Sequence, residues 1–279
     1  HPYCRQPESI KAMITPLQEL MKKRNLKQPI WISETGWTAG KIPFFYREVL
    51  PVAVKRIGIN PGECTVALFD EVKAGYDGCI DYTKELFPDF KGIRRINSRE
   101  LNQLSVKDYP VLFATGHERV LGTSVPALLR YVKNGGTLVL PSGLPLYFDI
   151  KVDGKGGHQL IQVNKKYLKD FHIDWESWWT KQGVVPKEES YQRTAPGFEK
   201  EFTWPEKSHA KAGRFLTDAN LAPGDEFIPL VVGGNANFQG ALAAIYRFNS
   251  NLKGNIIAST STNVFGVSRK TQGMMLSRS

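Results

Sequence analysis

Three short apolar runs, none with the polar alternation of a half-exposed strand, constrain the fold of this chain more than any other feature. They read TVALF at 65–69, YPVLFAT at 109–115 and TLVL at 137–140. Apolar residues at helical spacing lie between the last two, at 125–132. A strand that is apolar on both sides is typical of a parallel sheet with helices on both faces. Residues 45–150 are therefore predicted to form an open, doubly wound α/β domain.

The strand signal returns towards the C-terminus after a long polar stretch. The polar stretch, at about 151–205, is rich in Gly, Lys and Glu and is predicted to be an irregular insertion. Three further apolar runs follow it, at 227–232, 242–248 and 254–260. Asn and Gly residues between the first two of these runs favour a hairpin-like turn. The α/β domain is thus expected to cover 43–265, with 266–279 as a tail.

Charge and hydropathy exclude several kinds of partner. The 37 Lys and Arg residues exceed the 27 Asp and Glu residues by ten, and residues 1–60 alone hold ten basic and four acidic ones. No dense basic tract lies in the remainder, so no nucleic-acid partner is expected. No apolar run reaches the roughly 18 residues of a membrane-spanning helix, so no membrane partner is expected either.

Cysteines and histidines give no sign of a metal or cofactor. The three cysteines, Cys4, Cys64 and Cys79, lack metal-ligand spacing and cannot build a disulfide framework. His172 and His209 have no cluster of ligands beside them in the sequence. We therefore expect no metal and no cofactor. The compartment stays open, with a bacterial periplasmic or extracellular location slightly favoured over a cytoplasmic one.

The segment 31–37, WISETGW, carries the strongest chemical signal. Residues 29–33 predict a short buried strand, and Glu34 follows directly after it. Catalytic residues of (β/α)8 barrels lie at such strand ends, and Trp rings are apolar platforms for sugars. A retaining glycosidase needs one ionised carboxylate as nucleophile and a protonated one about 5–5.5 Å away as acid/base. The motif therefore suits carbohydrate chemistry with Glu34 as the carboxylate.

Residues 1–40 resemble the last part of a (β/α)8 glycoside hydrolase of the large retaining superfamily that includes cellulases, β-galactosidases and β-xylosidases. In that family a strand often ends in a motif like HPY, which stands here at 1–3. A helix follows, and the next strand ends in a motif like WISETGW. The resemblance implies that Glu34 is the nucleophile. It also implies that His1, Tyr3 and Trp37 line subsites for an oligo- or polysaccharide.

The barrel that this resemblance implies is larger than the segment available for it. A (β/α)8 barrel needs roughly 250 residues, whereas the α/β domain is predicted to begin after residue 42. The acid/base Glu of the family lies on a strand that has no counterpart here, and no eighth strand is recognisable before Phe44. We therefore expect 1–42 to be the C-terminal piece of a barrel. Alone, this chain is expected to be inactive as a glycosidase.

The remainder resembles class I glutamine-amidotransferase-like domains, through YPVLFATG at 109–116 and VKNGGTLVL at 132–140. It is especially similar to the non-catalytic version that follows the barrel in some β-galactosidases. That resemblance implies a flavodoxin-like sheet and a role in subunit assembly, hence a homo-oligomer. Active members carry a nucleophilic Cys where this chain has Ser142, in PSG, so no amidotransferase activity is expected. A non-catalytic interaction module with a barrel remnant is the alternative function.

A second candidate site lies after the run at 109–115. His117 and Glu118 follow its end, where open α/β sheets bind ligands. They could act as an acid/base pair, cap a helix or form an interface. A Trp cluster further along could be a sugar platform or part of a core or interface, and it consists of Trp175, Trp178 and Trp179.

Overall fold

The computed structural model describes residues 45–69, 87–114, 118–141, 143–152, 158–177, 191–202, 214–234 and 239–260, together with residues 19, 22 and 23. The chain divides into two compact units. The first comprises His1–Lys41 and Lys73–Tyr82, and the second Ile42–Val72 and Thr83–Ser279. Every helix and strand named below belongs to the second unit. Apart from residues 19, 22 and 23, the predicted barrel segment lies outside the described residues, and the predicted domain boundaries stay a prediction.

The helices of the described residues are short. A π-helical turn, Phe45–Val49, continues as α1, Leu50–Arg56, and Pro51, which has no N–H to donate to the preceding turn, lies at the junction of the two. The helix α2, Ser98–Asn102, begins with a capping box between Asn97 and Glu100. The longest is α3, Val125–Lys133. No helix among the described residues is long and apolar enough to cross a membrane.

Thirteen strands belong to the described residues. They are β1 Thr65–Phe69, β2 Gly92–Ile96, β3 Val111–Ala114, β4 Arg119–Leu121, β5 Thr137–Leu140, β6 Phe148–Val152, β7 His158–Gln162, β8 Asp174–Ser177, β9 Tyr191–Thr194, β10 Arg214–Thr217, β11 Glu226–Gly234, β12 Gln239–Arg247 and β13 Asn255–Ser259. The six apolar runs at 65–69, 109–115, 137–140, 227–232, 242–248 and 254–260 are all found as strands, two of them with the predicted bounds, whereas the strand predicted at 29–33 lies outside the described residues.

The strands form a ten-stranded sheet and a small three-stranded one. The long sheet runs β2-β1-β3-β5-β13-β12-β10-β8, with β11 beside β12 and β9 beside β11. The pairs from β2 to β13 are parallel, and the pairs beyond β13 are antiparallel. The small sheet runs β4-β6-β7. The fold is thus mixed α/β, and the predicted parallel sheet is one part of a longer mixed sheet.

The parallel strands are buried on both faces, as their continuous apolar sequences predict. In β3, Leu112 and Ala114 belong to a core cluster that also contains Leu128 of α3. Phe113 points the other way, and its ring lies 5.5 Å from those of Tyr46 and Phe87. Fully burying each such side chain stabilises the fold by roughly 1.5–3 kcal/mol.

The polar stretch at about 151–205, predicted to be irregular, contains the regular strands β7, β8 and β9. All three lie at sheet margins: β7 ends the small sheet, β8 ends the main path of the long one, and β9 pairs with β11 alone among the described strands. Strands with one solvated side contain few apolar residues, so they lack the continuous apolar sequence of β1 or β5. Their sequences therefore cannot be distinguished from loop sequences without knowledge of the strands that they pair with.

A polar network joins three connecting segments near β12. His172 Nδ1 lies 2.7 Å from Asp225 Oδ2, with side chains 12% and 0% exposed. The backbone N–H groups of Asn249 and Ser250 donate to Asp225 Oδ1, and that of Ala222 donates to Oδ2. Burial alone would raise the pKa of the Asp225 carboxyl, but these donors outweigh it and hold the pKa below its usual value.

We predict that Asp225→Asn lowers the free energy of unfolding at neutral pH by about 2–3 kcal/mol, because it removes the charge that accepts these buried donors. The folded-state pKa of Asp225 is lowered, so its contribution is full above the unfolded-state value of about 3.9 and is lost as the pH falls through the folded value. Urea unfolding of both proteins should therefore show a difference that shrinks below about pH 4. Asp108→Asn, at an exposed position, is the control. A difference that is constant with pH would contradict the assignment.

Candidate functional site

The carboxyl ends of the parallel strands form the edge where an open α/β sheet binds ligands. The strand order reverses at β1, which has β2 on one side and β3 on the other. Glu118 is the predicted site residue that the structure describes at this edge, four residues beyond the end of β3. His117 and Ser142 lie outside the described residues, so the pairing of His117 with Glu118 stays a prediction.

Glu118 connects three segments at this edge. Its Oε1 accepts a hydrogen bond from the backbone N–H of Leu144, at 2.9 Å, and lies 3.5 Å from Nη1 of Arg214. Its backbone carbonyl accepts from the N–H of Phe148, at 2.8 Å. The side chains of Glu118 and Arg214 are 27% and 46% exposed. Glu118 therefore anchors the loop after β5 and faces solvent together with a guanidinium group.

The loop after β5 has an unusual backbone. Gly143 has φ +75°, and an added Cβ there would overlap the Glu118 side chain. Leu146 also has a positive φ, 54°, although it is a buried leucine. A bulky residue adopts this conformation only where its surroundings impose it. The loop is thus held in one shape by its own packing and by Glu118.

Trp175 of β8 is the member of the Trp cluster that the structure describes. Its ring lies 5.9 Å from that of Tyr147, in an edge-on arrangement, and Lys165 Nζ lies 5.1 Å from its centre. Lys165 also pairs with Asp174, at 2.7 Å. Trp175 is partly buried against the core. It therefore combines a packing role with a partly exposed aromatic surface.

His172, Asp225 and Ser250 contain the residue types of a hydrolytic triad but not its geometry. Ser250 Oγ lies 3.5 Å from His172 Nδ1, the same nitrogen that contacts Asp225. A triad needs the serine and the aspartate on opposite ring nitrogens, so that one atom takes the serine proton while the other is oriented. This network is structural. The described residues also contain no group of three or more potential metal ligands.

Sequence reasoning missed Arg214 as a partner of the candidate residue Glu118, and Asp225 as a partner of His172. Arg214 lies 96 positions from Glu118, and Asp225 lies 53 positions from His172. No local motif indicates a contact between residues so far apart in sequence. Only the position of β10 in the sheet could have indicated the contact between Arg214 and Glu118. The residues of the barrel resemblance, namely His1, Tyr3, Glu34 and Trp37, lie outside the described residues.

Comparison with known proteins gives partial structural likeness only. No protein-family model matches the chain, and no curated protein does. Similar solved structures include a catalytic mutant of a GH42 β-galactosidase from G. stearothermophilus, with TM-score 0.40, 13% identity, and 80% of this chain and 31% of that chain covered. The mmIFT52 N-terminal domain has TM-score 0.41 and 14% identity, with 72% and 87% covered.

A ThuA-like protein from Bacteroides uniformis has TM-score 0.41 and 11% identity, with 78% of this chain and 89% of that chain covered. The chain spans about a third of the length of the β-galactosidase chains that it matches. At TM-scores of 0.40–0.41 and identities of 11–14%, these likenesses assign neither a family nor residue roles to this chain.

Gly143→Ala is predicted to lower the free energy of unfolding by about 2–4 kcal/mol, because it adds the strain of a positive φ to an overlap with Glu118. Gly58→Ala is the matched control, since Gly58 has φ +86° and nothing within 4 Å of an added Cβ. It should cost only about 1 kcal/mol. Adding Glu118→Ala to Gly143→Ala should recover part of the loss in a double-mutant cycle. Equal losses of unfolding free energy in Gly143→Ala and Gly58→Ala would contradict the role of Glu118 in anchoring this loop.

Cys64 should react slowly in the native state. It is 3% exposed, and burial raises the pKa of its thiol to about 11, against a smaller opposing effect of a backbone hydrogen bond from Val111. In a Cys4→Ser, Cys79→Ser variant, alkylation by iodoacetamide near pH 8 should be at least about 100-fold slower in the folded protein than in urea. Similar rates in both states would show that the thiol is accessible.

Proposed function

We propose that this chain contributes the nucleophile-bearing end of a retaining glycoside hydrolase barrel, joined to an α/β unit that takes no part in the chemistry. The observation that carries the proposal is the motif WISETGW at 31–37, with HPY at 1–3 one helix earlier. These two segments have the order and spacing of consecutive strand ends in the retaining superfamily that they resemble. The substrate class is an oligo- or polysaccharide.

In this function the Glu34 carboxylate attacks the anomeric carbon and forms a covalent glycosyl-enzyme. A second carboxylic acid, from another part of the barrel, protonates the departing glycosidic oxygen. The same group then removes a proton from water, which releases the sugar with its original anomeric configuration. His1, Tyr3 and Trp37 would contact the sugar, with the Trp37 ring as an apolar platform.

The described residues of the α/β unit support an accessory role for it. The chain has PSG at 141–143, where amidotransferases that the unit resembles have a nucleophilic Cys. Cys64 is buried, with a raised thiol pKa. The Glu118 carboxylate is engaged by Leu144 and Arg214. Of the described groups, the Cys64 thiol is thus buried and the Glu118 carboxylate takes part in structural contacts.

Replacement of Glu34 tests the proposal in the protein expressed from its complete gene. Glu34→Gln should lower turnover of aryl β-glycosides by on the order of a thousandfold or more, because it removes the nucleophile. In Glu34→Gly, added azide should restore turnover of an activated aryl β-glycoside and give the α-glycosyl azide, since azide then displaces the leaving group from the face that Glu34 occupied.

Glu63→Gln, an exposed glutamate of the second unit, is the control and should keep full activity. Wild-type rates in Glu34→Gln would overturn the assignment of Glu34. Lost activity without azide rescue would reassign Glu34 from nucleophile to a positioning residue.

A further inference from the structure

One face of the antiparallel part of the sheet brings an aromatic group and a charged pair together. In the pairing of β8 with β10, Trp175 lies opposite Leu216 and Ser177 lies opposite Arg214. Side chains alternate along a strand, so these four residues share one face. Trp175 and Arg214 are diagonal neighbours on that face, roughly 7–8 Å apart at their backbones.

The aromatic half of this face is partly solvent-exposed. The rings of Trp175 and Tyr147 are in contact, and both residues are half-buried. The indole Nε1 of Trp175 is buried and has no hydrogen-bond partner among the described residues, so it is not a donor at the surface. Lys165 Nζ lies near the ring, pairs with Asp174 and belongs to a side chain that is 44% exposed. The aromatic half thus offers a partly exposed apolar ring surface with the Lys165 ammonium group at its margin.

The charged half presents a donor and an acceptor side by side. Arg214 and Glu118 lie 3.5 Å apart, and the guanidinium is nearly half exposed. The Leu144 N–H holds the Glu118 carboxylate, so the acceptor is fixed in place. The hydroxyl of Thr260 donates to the backbone carbonyl of Arg214, which fixes the start of β10. The pair is therefore preorganised on the backbone, while its charged groups still face water.

A second Arg–Glu pair beside an aromatic ring shows how such a cluster is built when it serves only the fold. Arg94 contacts Glu100 at 2.9 Å, and its guanidinium lies 5.5 Å from the centre of the Tyr109 ring and donates to the Tyr109 hydroxyl. There the cation covers the ring, and the polar groups satisfy each other. At β8 and β10, Arg214 and Trp175 are diagonal neighbours on the same face of the sheet.

We propose that Trp175, Tyr147, Arg214 and Glu118, all residues of the second unit, form a saccharide-binding surface. The apolar C–H face of a sugar ring would pack on Trp175 and Tyr147. Two neighbouring hydroxyls would bind the pair, with Arg214 donating to one oxygen and Glu118 accepting from the other hydroxyl. Only the choice of a saccharide as ligand rests on the proposed function, because the surface itself is defined by the contacts described above.

Binding measurements on the protein expressed from its complete gene test this proposal. The probes are three tetrasaccharides, β-1,4-linked galactose, glucose and xylose, titrated by calorimetry into the Glu34→Gln protein, so that no probe is consumed. At least one should bind. Arg214→Gln should weaken that binding about tenfold or more, because one charge-assisted hydrogen bond is lost. Trp175→Ala should weaken it similarly through loss of the ring surface.

Arg94→Gln is the matched control, as it removes an exposed arginine from an Arg–Glu pair beside an aromatic ring, and it should leave the affinity unchanged. Arg214→Gln keeps the test valid if Trp175→Ala fails to fold. No binding by any probe, or binding that Arg214→Gln leaves unchanged, overturns the proposal. Azide rescue of Glu34→Gly tests the nucleophile, whereas tetrasaccharide binding by the Arg214→Gln protein tests this surface, so the two proposals fail independently.

Discussion

Burial of β3 on both sides is the constraint on which the rest of the described structure depends. Leu112 and Ala114 pack into the cluster under α3, while Phe113 meets the rings of Tyr46 and Phe87 on the other face. A strand without a solvated side cannot shift its register by one residue without exchanging the two layers. The neighbours β1 and β5 are thereby fixed in register, and so are the positions at which their following loops leave the sheet.

Polar contacts fix the conformation of the loops at the carboxyl edge, whereas apolar packing fixes the strands. The loop after β5 contains two residues with positive φ, Gly143 and Leu146, and it would not keep that shape through its local sequence alone. Glu118, from the segment after β3, supplies the fixed point by accepting the Leu144 N–H. The buried carboxylate of Asp225 does the same for the segments around His172 and Asn249. In both cases one acid satisfies donors from separate parts of the chain.

The sequence predicts the parts of this structure whose cause is local. The bounds of β1 and β5 follow from continuous apolar runs ended by polar or Pro residues, and α3 follows from helical spacing ended by Asn134 and the glycines after it. The strands β7 and β8 were missed because half-solvated marginal strands are polar, and their strand character depends on pairing with β6 and β10. The contacts of Glu118 with Arg214 and of His172 with Asp225 join residues far apart in sequence, which no spacing rule detects.

The polar groups of the α/β unit differ in how completely their long-range contacts engage them. Asp225 is fully buried, and its donors are backbone amides and a ring nitrogen, so nothing of it is left for a ligand. Arg94 is exposed, but it donates hydrogen bonds to both Glu100 and Tyr109. Arg214 differs from both, since it is exposed, held by its backbone, and contacts one acid at a distance that a small movement of the side chain would break. An arginine with a fixed backbone and a weakly paired guanidinium pays a small free-energy cost on binding a ligand. Its backbone is already ordered, and the ion pair that is broken is weak. Recognition by this unit is therefore most favourable at β10, next to the aromatic surface of β8.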